Sequence, residues 1–428
     1  MNLLDRGRAF LQALRVLARR TAWDWRRCPT CGQSETWRYG TYRRRPWTLA
    51  GRQTVVVQRH WCLLGRGTYA ETSPWLVRGS WYAREVQRSA IDLWLHGGTS
   101  TRRTAEWLRS LLGHQERWLR WRPLDPEPPL AARCWLSAST VQRWLDRAGA
   151  QAVRTVPHQL ARVPGSGQLA TDGLWSRLRG RGRGVVLLLT DCVSGLIYPP
   201  VVGADEEGPA WERLFARAAA AGLDLDAVRG VASDGARGLS TTLTRVLWWV
   251  NHQRCIFHLW RTLGGELRRQ TTAAAAGRTG AAAKAVQRQV RRELGALVRA
   301  VLNARDAATA QAALLALAAD ARGAALAEAL AEVVDAALVY QLPFNHGLGR
   351  ASPEWCWRDF RLRLSHGRNH ATTTRLERAA VLWAIYRNFE PAQDRSERTR
   401  HYRRPGQSPL ARAGVPPGAI SYLDALAI

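Results

Sequence analysis

The hydrophobic pattern divides the chain into stretches of different period. Between residues 80 and 112 apolar positions recur at helical spacing, first Ile91, Trp94 and Leu95, then Ala105, Leu108, Leu111 and Leu112. The Pro-rich stretch RPLDPEPPL at 122–130 breaks that period, which resumes from Ser139 to Ala150. From 168 the period shortens. QLATDGLWSRL alternates like a strand, RGRGRG at 179–184 predicts a turn, and GVVLLLTDCV reads as a buried strand. Ser194-Gly195 predicts a second turn and LIYPPVVG a third strand, so two successive hairpins imply a three-stranded antiparallel meander. A helix over 208–221 follows, then the short strand AVRGVAS before Asp234-Gly235, a further helix, and QRCIFH as another strand. Residues 260–340 are alanine-rich and helical. After a loop with Pro343, Gly347, Gly349 and Pro353, a last helix runs from about Thr372 to Asn388.

The resulting order, β-β-β-α-β-α-β-α, is that expected of an α/β chain with a ribonuclease-H-like core, a mixed sheet carrying a large all-α insertion. The core is expected in two parts, 151–259 and a Glu-bearing final helix in 369–400, around an insertion over 260–368. Ahead of it stand a basic amphipathic helix over 1–22, a zinc-ribbon-like module over 23–78 and a helix-turn-helix-like region over 79–150. A loose basic tail, 401–428, follows.

Charge narrows the partner. The chain has 63 basic residues against 34 acidic ones, a net of +29, and Lys284 is its one lysine. A genome rich in G and C explains arginine over lysine but not the excess of base over acid. Such a surplus calls for a polyanion, and double-stranded DNA fits because arginine grips phosphate bidentately. An anionic membrane surface is the weaker alternative. No run of apolar residues is long enough for a membrane span, and the N-terminus lacks the apolar block of a secretory signal. Seven cysteines are too few for a disulfide framework at this length, which points to a reducing, cytoplasmic and nucleoid-associated setting.

Three acids stand out. Asp172 lies mid-strand, where a carboxylate is costly unless something pairs with it. Asp234 ends a strand, at the edge where ligands of α/β sheets gather. Glu377 sits on a helix whose small residues Ala380, Val381 and Ala384 would let it lie close to the sheet. Two hard divalent cations a few ångströms apart, held by such carboxylates, can activate water and stabilise an in-line phosphoryl transfer. Taken singly, each Asp-Gly pair is more often a turn, and Glu377, between Arg375 and Arg378, could be a solvated charge. Cys255 and His258 have zinc-ligand spacing, yet two ligands make no site, and a buried thiol beside a core histidine explains them equally well.

These residues resemble those of bacterial insertion-sequence transposases related to the Mutator-like group. The resemblance rests on Ala170-Thr171-Asp172-Gly173, Val231-Ala232-Ser233-Asp234-Gly235, Cys255-Ile-Phe-His258 and Thr372-Thr373-Thr374-Arg375-Leu376-Glu377-Arg378, and spans about residues 80–400. Thr374 replaces the asparagine usual in the last motif. Asp234 follows Asp172 by 62 residues and Glu377 follows Asp234 by 143, a second gap that suits the family's helical insertion. The resemblance implies a DDE transposase with Asp172, Asp234 and Glu377 as its Mg2+ (or Mn2+) ligands. It also implies an auxiliary role near the DNA phosphate for Cys255 and His258, and a homo-oligomer of at least two chains that binds element ends and target DNA. A DNA-binding regulator descended from a transposase, without nuclease activity, is the alternative.

Two N-terminal features complete the reading. Cys28-x2-Cys31-Gly32 is a zinc knuckle, but the second one has Gly65 where the fourth Cys would stand. His60, two residues before Cys62, could complete a Cys28, Cys31, His60, Cys62 site for Zn2+, or the ribbon could be metal-free. In the helix from Ser139, Val141, Trp144, Leu145 and Ala148 form an inner stripe and Ser139 with Gln142 a capping box. Gln142, Arg143 and Arg147 then face outward, suited to a major groove, although an ordinary basic helical hairpin has the same pattern.

Overall fold

The computed structural model describes residues 27–34, 36–71, 73–112, 136–161, 163–180, 182–345, 347–349, 354–366, 370–391, 406–418 and 420–428. The helix expected over 1–22 and the Pro-rich stretch 122–130 lie outside the described residues.

The N-terminal module is built on strands. They are β1 (Trp37–Arg44), the short ribbon β2 (Trp47–Thr48) and β3 (Gly51–Arg52), β4 (Val55–Cys62) and β5 (Gly67–Ala70). β1, β4 and β5 form an antiparallel sheet with β4 central. Helices α1 (Arg84–Leu95), α2 (Thr101–Leu111) and α3 (Ala138–Leu160) follow and pack together on the apolar faces that their periodicity predicts. The start of α3 differs from expectation. Ser137 caps it, its Oγ accepting from the Thr140 amide at 3.2 Å, whereas Gln142 donates to Asp146 at 3.0 Å instead of closing a box with Ser139. The helix also continues beyond Ala150, because Ala152, Val156 and Leu160 prolong its buried stripe.

The central sheet has five strands, β6 (Gln168–Arg177), β7 (Arg183–Asp191), β8 (Val201–Gly203), β9 (Gly230–Ser233) and β10 (Asn251–Arg254). Their order is β10-β9-β6-β7-β8. β6 to β8 form the antiparallel meander, and β9 and β10 join parallel to β6 and to β9 respectively. The mixed sheet read from the sequence is therefore present. β8 is shorter than LIYPPVVG suggested, since Pro199 and Pro200 have no N–H for the ladder, and Ile197 makes one isolated bridge to Thr190. β7 is buried from Gly184 to Asp191. α4 (Gly208–Ala220), with Trp211, Leu214 and Phe215 inward, packs on β7 and β8 and against α5 (Arg237–Val246). β10 ends at Arg254, so Cys255-Ile-Phe-His258 opens a helix and is not the strand expected.

That helix begins the all-α part: α6 (Ile256–Ala274), α7 (Gly280–Leu302), α8 (Ala307–Ala319), α9 (Ala324–Ala331) and α10 (Val334–Ala337). It has a core of its own, including Leu263, Leu294, Val298, Leu317 and Leu330. Gln253 on β10 ties it to the sheet, donating to the Ala337 carbonyl at 2.7 Å and accepting from the Tyr340 amide at 2.8 Å. Next, α11 (Glu354–His366) falls within the expected insertion but packs on β6, with Trp357 and Phe360 buried in the main core. α12 (Thr373–Phe389) lies along α3 so closely that a Cβ on Gly149 would stand 2.6 Å from the Arg378 carbonyl.

The C-terminal residues 406–428 are docked, correcting the loose tail. The turns α13 (Pro409–Arg412) and α14 (Tyr422–Ala425) bury Leu410, Tyr422 and Leu423, Asp424 accepts from Arg88 at 2.7 Å, and Gln159 donates to the Ala425 carbonyl at 2.7 Å. Among the described residues no helix is long and apolar enough to cross a membrane.

Two stability predictions follow from this packing. Gly149→Ala should cost about 1–3 kcal/mol in denaturant unfolding, because the backbone of α12 cannot yield as a side chain would. His370 is buried beside α12, and burial holds its pKa down at about 4 against an ordinary 6.5, the Arg375 charge adding to that and Asp146 opposing it. The unfolded chain therefore takes up the proton first. Stability should fall as pH drops from about 6.5 and level off below about 4, losing about 3 kcal/mol at most. A His370→Gln chain should show a shallower acid decline, and an unchanged profile would acquit His370.

Candidate active site

Asp172 sits in the middle of β6 and is 4% exposed. Its oxygens are held separately: Oδ2 accepts from the Trp357 indole N–H at 2.7 Å, and Oδ1 accepts from the Gly173 amide at 2.9 Å. Asp234 follows β9 directly and accepts from the Ala236 amide at 2.9 Å, in a turn where Gly235 has φ +80°. β9 runs parallel to β6, which brings the strand end close to Asp172.

His258, in the first turn of α6, meets both acids. One ligand atom from each of Asp172, Asp234 and His258 lies within 4.8 Å of the others. The His258 pKa is raised, first by its hydrogen bond with Cys255 and also by the charges of Cys255, Asp172 and Asp234, against the opposing effect of burial. Cys255 itself is buried at the helix N-cap and is not in this cluster.

A carboxylate not singled out in the sequence stands nearby. Glu206, in the loop between β8 and α4, comes so near β6 that a Cβ on Gly173 would stand 2.1 Å from its Oε1. Glycine next to Asp172 is thus what leaves room for it. The Glu206 pKa is raised by burial and by the charge of Asp234, while a hydrogen bond from Trp175 lowers it. Carboxylates gathered this closely suit a hard cation, so the donor set fits Mg2+ or Mn2+. Nothing in the local sequence of Glu206 marks it; its role depends on the β8–α4 loop folding back over β6.

Glu377 is not brought to the cluster. Its carboxylate is paired with Arg217 of α4. The small residues after it do let the helix lie close to the sheet, where it packs on β7 and β8 as well as along α3.

The DNA-facing candidates divide. Arg143 and Arg147 are exposed on α3, whereas Gln142 is half-buried and bonded to Asp146. Missed in the sequence is a cavity of about 1210 Å³ between the N-terminal strands and α1, lined by Arg43, Arg44, Arg45, Arg52, Arg59 and Arg78 among others. Cys28, Cys31 and Cys62 converge, but His60 does not join them. It stacks on Tyr69 with centroids 5.3 Å apart and lies 3.9 Å from the Glu71 carboxylate.

With this geometry in place, comparison with known families decides the broad class. Residues 196–348 match the model of the Mutator family of transposases. That segment, less than half of the chain, is similar to the Mutator family of transposases. No curated protein matches the chain. The Mutator-family segment includes Glu206, Asp234, Cys255 and His258, while Asp172 and Glu377 flank it on either side.

Cation binding gives a direct check on the cluster. Titration of metal-free protein with Mn2+ should show uptake that Asp172→Asn and Asp234→Asn each weaken by more than about tenfold. Glu377→Gln should bind as the parent does; an equal loss there would restore Glu377 to the site.

Proposed function

We propose that this chain is a DNA transposase whose divalent-cation site is built on Asp172 and Asp234. The observation that carries the reading is the convergence of these two carboxylates with His258 beside a Mutator-family segment. The sheet order β10-β9-β6-β7-β8, an antiparallel meander extended by two parallel strands, supports a ribonuclease-H-like core. Bound Mg2+ or Mn2+ would activate a water or a 3′-hydroxyl and offset the charge that develops on the phosphate.

The chain's own residues supply orientation. Trp357 fixes one oxygen of Asp172, and the Ala236 amide fixes one of Asp234. His258, whose pKa is raised first by its hydrogen bond with Cys255 and then by the neighbouring acids, would offer an N–H to a phosphate oxygen. The third carboxylate in this reading is Glu206, which folds against Gly173 and feels the charge of Asp234. Glu377 would have to give up Arg217 to serve instead. Arg143 and Arg147 on α3 and the arginine-lined cavity would hold element ends, and pairing two ends requires at least two chains.

The decisive assay incubates the protein with Mg2+ and labelled element ends. Asp172→Asn, Asp234→Asn and Glu206→Gln should keep DNA affinity yet lose cutting by roughly a thousandfold or more, and the losses should not add. Glu377→Gln should cut normally. Loss of cutting in Glu377→Gln with a normal Glu206→Gln would move the third carboxylate to α12. A parent chain that binds ends but cuts nothing with Mg2+ or Mn2+ would instead make it a regulator derived from a transposase.

A further inference from the structure

We propose that Cys28, Cys31 and Cys62 form a zinc site of three thiolates with one open coordination position, its fourth corner lying at Gly65.

Two loops build the site. In the first, the Gly32 amide donates to the Cys28 carbonyl at 2.8 Å, Gly32 takes φ +74°, and the Thr30 amide points at Cys28 Sγ from 3.4 Å. In the second, Cys62-Leu-Leu-Gly65, the Gly65 amide points at Cys62 Sγ from 3.2 Å and Arg66 bonds back to the Leu63 carbonyl at 3.3 Å. Both are tight turns that aim amides at sulfur, an arrangement that stabilises thiolates. The sulfurs of Cys31 and Cys62 are 3.4 Å apart, well beyond a disulfide bond of about 2.05 Å. Four sulfurs at about 2.3 Å from a tetrahedral zinc stand about 3.8 Å apart, so the trio needs to spread by only a few tenths of an ångström.

Gly65 marks what is missing. A Cβ on it would stand 3.0, 3.3 and 3.6 Å from the sulfurs of Cys28, Cys62 and Cys31. The Cα–Cβ direction at this position therefore points into the trio, where a fourth ligand would arrive. With glycine there, position 65 itself supplies no donor, and among the described residues no fourth ligand joins the trio. Cys31 is exposed, and Leu63 and Leu64 beside Gly65 are exposed as well, so solvent or a small ligand reaches it. Soft thiolates favour zinc over hard cations, and an open fourth position distinguishes an exchangeable ion from a closed structural one.

Cobalt replaces zinc as a visible probe. Reduced, metal-depleted full-length protein should bind one Co2+ per chain, with charge-transfer intensity for three thiolates. Added imidazole should then shift its ligand-field bands. Gly65→Cys should raise the thiolate intensity by a third, tighten binding by about tenfold or more and abolish the imidazole response. His60→Ala should bind as the parent does. No stoichiometric Co2+ or Zn2+ in the parent would overturn the proposal. An imidazole-insensitive parent whose affinity falls with His60→Ala would also overturn it, in favour of a closed Cys3His site. Should Gly65→Cys fail to fold, the imidazole response and the His60→Ala affinity decide between those outcomes.

Discussion

A carboxylate in the middle of a buried strand has to be held by something, and Asp172 is held by the indole of Trp357. Desolvating a charged oxygen on β6, whose neighbours include Leu169 and Leu188, is expensive without a donor on each oxygen. The donor comes from 185 residues further along the chain. The polypeptide must therefore leave the sheet, build the helical insertion and return α11 to β6 before the centre of the sheet is satisfied. Gln253 on the outgoing side and Trp357 on the return bracket the insertion. Its separate hydrophobic core lets it be long without disturbing the strands that carry the acids.

The same economy governs the remaining acids near the C-terminus. In a chain of net charge +29 most carboxylates have an arginine within reach. Glu377 is matched by Arg217, Asp146 lies 3.3 Å from Arg375, and Asp359 accepts from Arg363 and from the Trp383 indole. Beside Asp172 and Asp234 stands a histidine, Arg254 reaches only the Gly235 carbonyl, and burial together with the charge of Asp234 raises the Glu206 pKa. A cluster left acidic inside a basic protein is suited to attracting divalent cations, and the arginines around it are suited to the polyanion on which those cations would act.

Hard and soft donors are kept apart. The carboxylates belong to the central sheet, and the three converging thiols belong to a strand module 100 residues and more earlier in the chain. Carboxylate oxygens suit Mg2+ or Mn2+, while thiolates suit zinc, so the two sites need not compete for one ion.

Much of the fold was legible because it depends on short-range periodicity. Alternation over 168–191, the turns at 179–184 and Ser194-Gly195, the strand before Asp234 and the helical run after 256 are all written in local spacing. Asp172 and Asp234 were legible for the same reason, each being an acid placed within or at the end of an apolar strand. What local spacing could not supply was the partner of each side chain. Glu377 reads as an unpaired helix acid until α4 presents Arg217 to it, and Glu206 reads as a loop charge until that loop folds over Gly173. The stacking of His60 on Tyr69 and its approach to Glu71 appear only once β5 lies beside β4, and Trp357 reads as core until it meets Asp172. The sequence by itself determined most of the strands and helices, though not all of their ends, and that acids stand within or at the end of strands, since backbone geometry imposes a period of 2 or 3.6 on apolar positions. Only the tertiary structure decided which acid meets which base, because contacts between residues such as 172 and 357 depend on the packing of whole elements and leave no mark in local spacing.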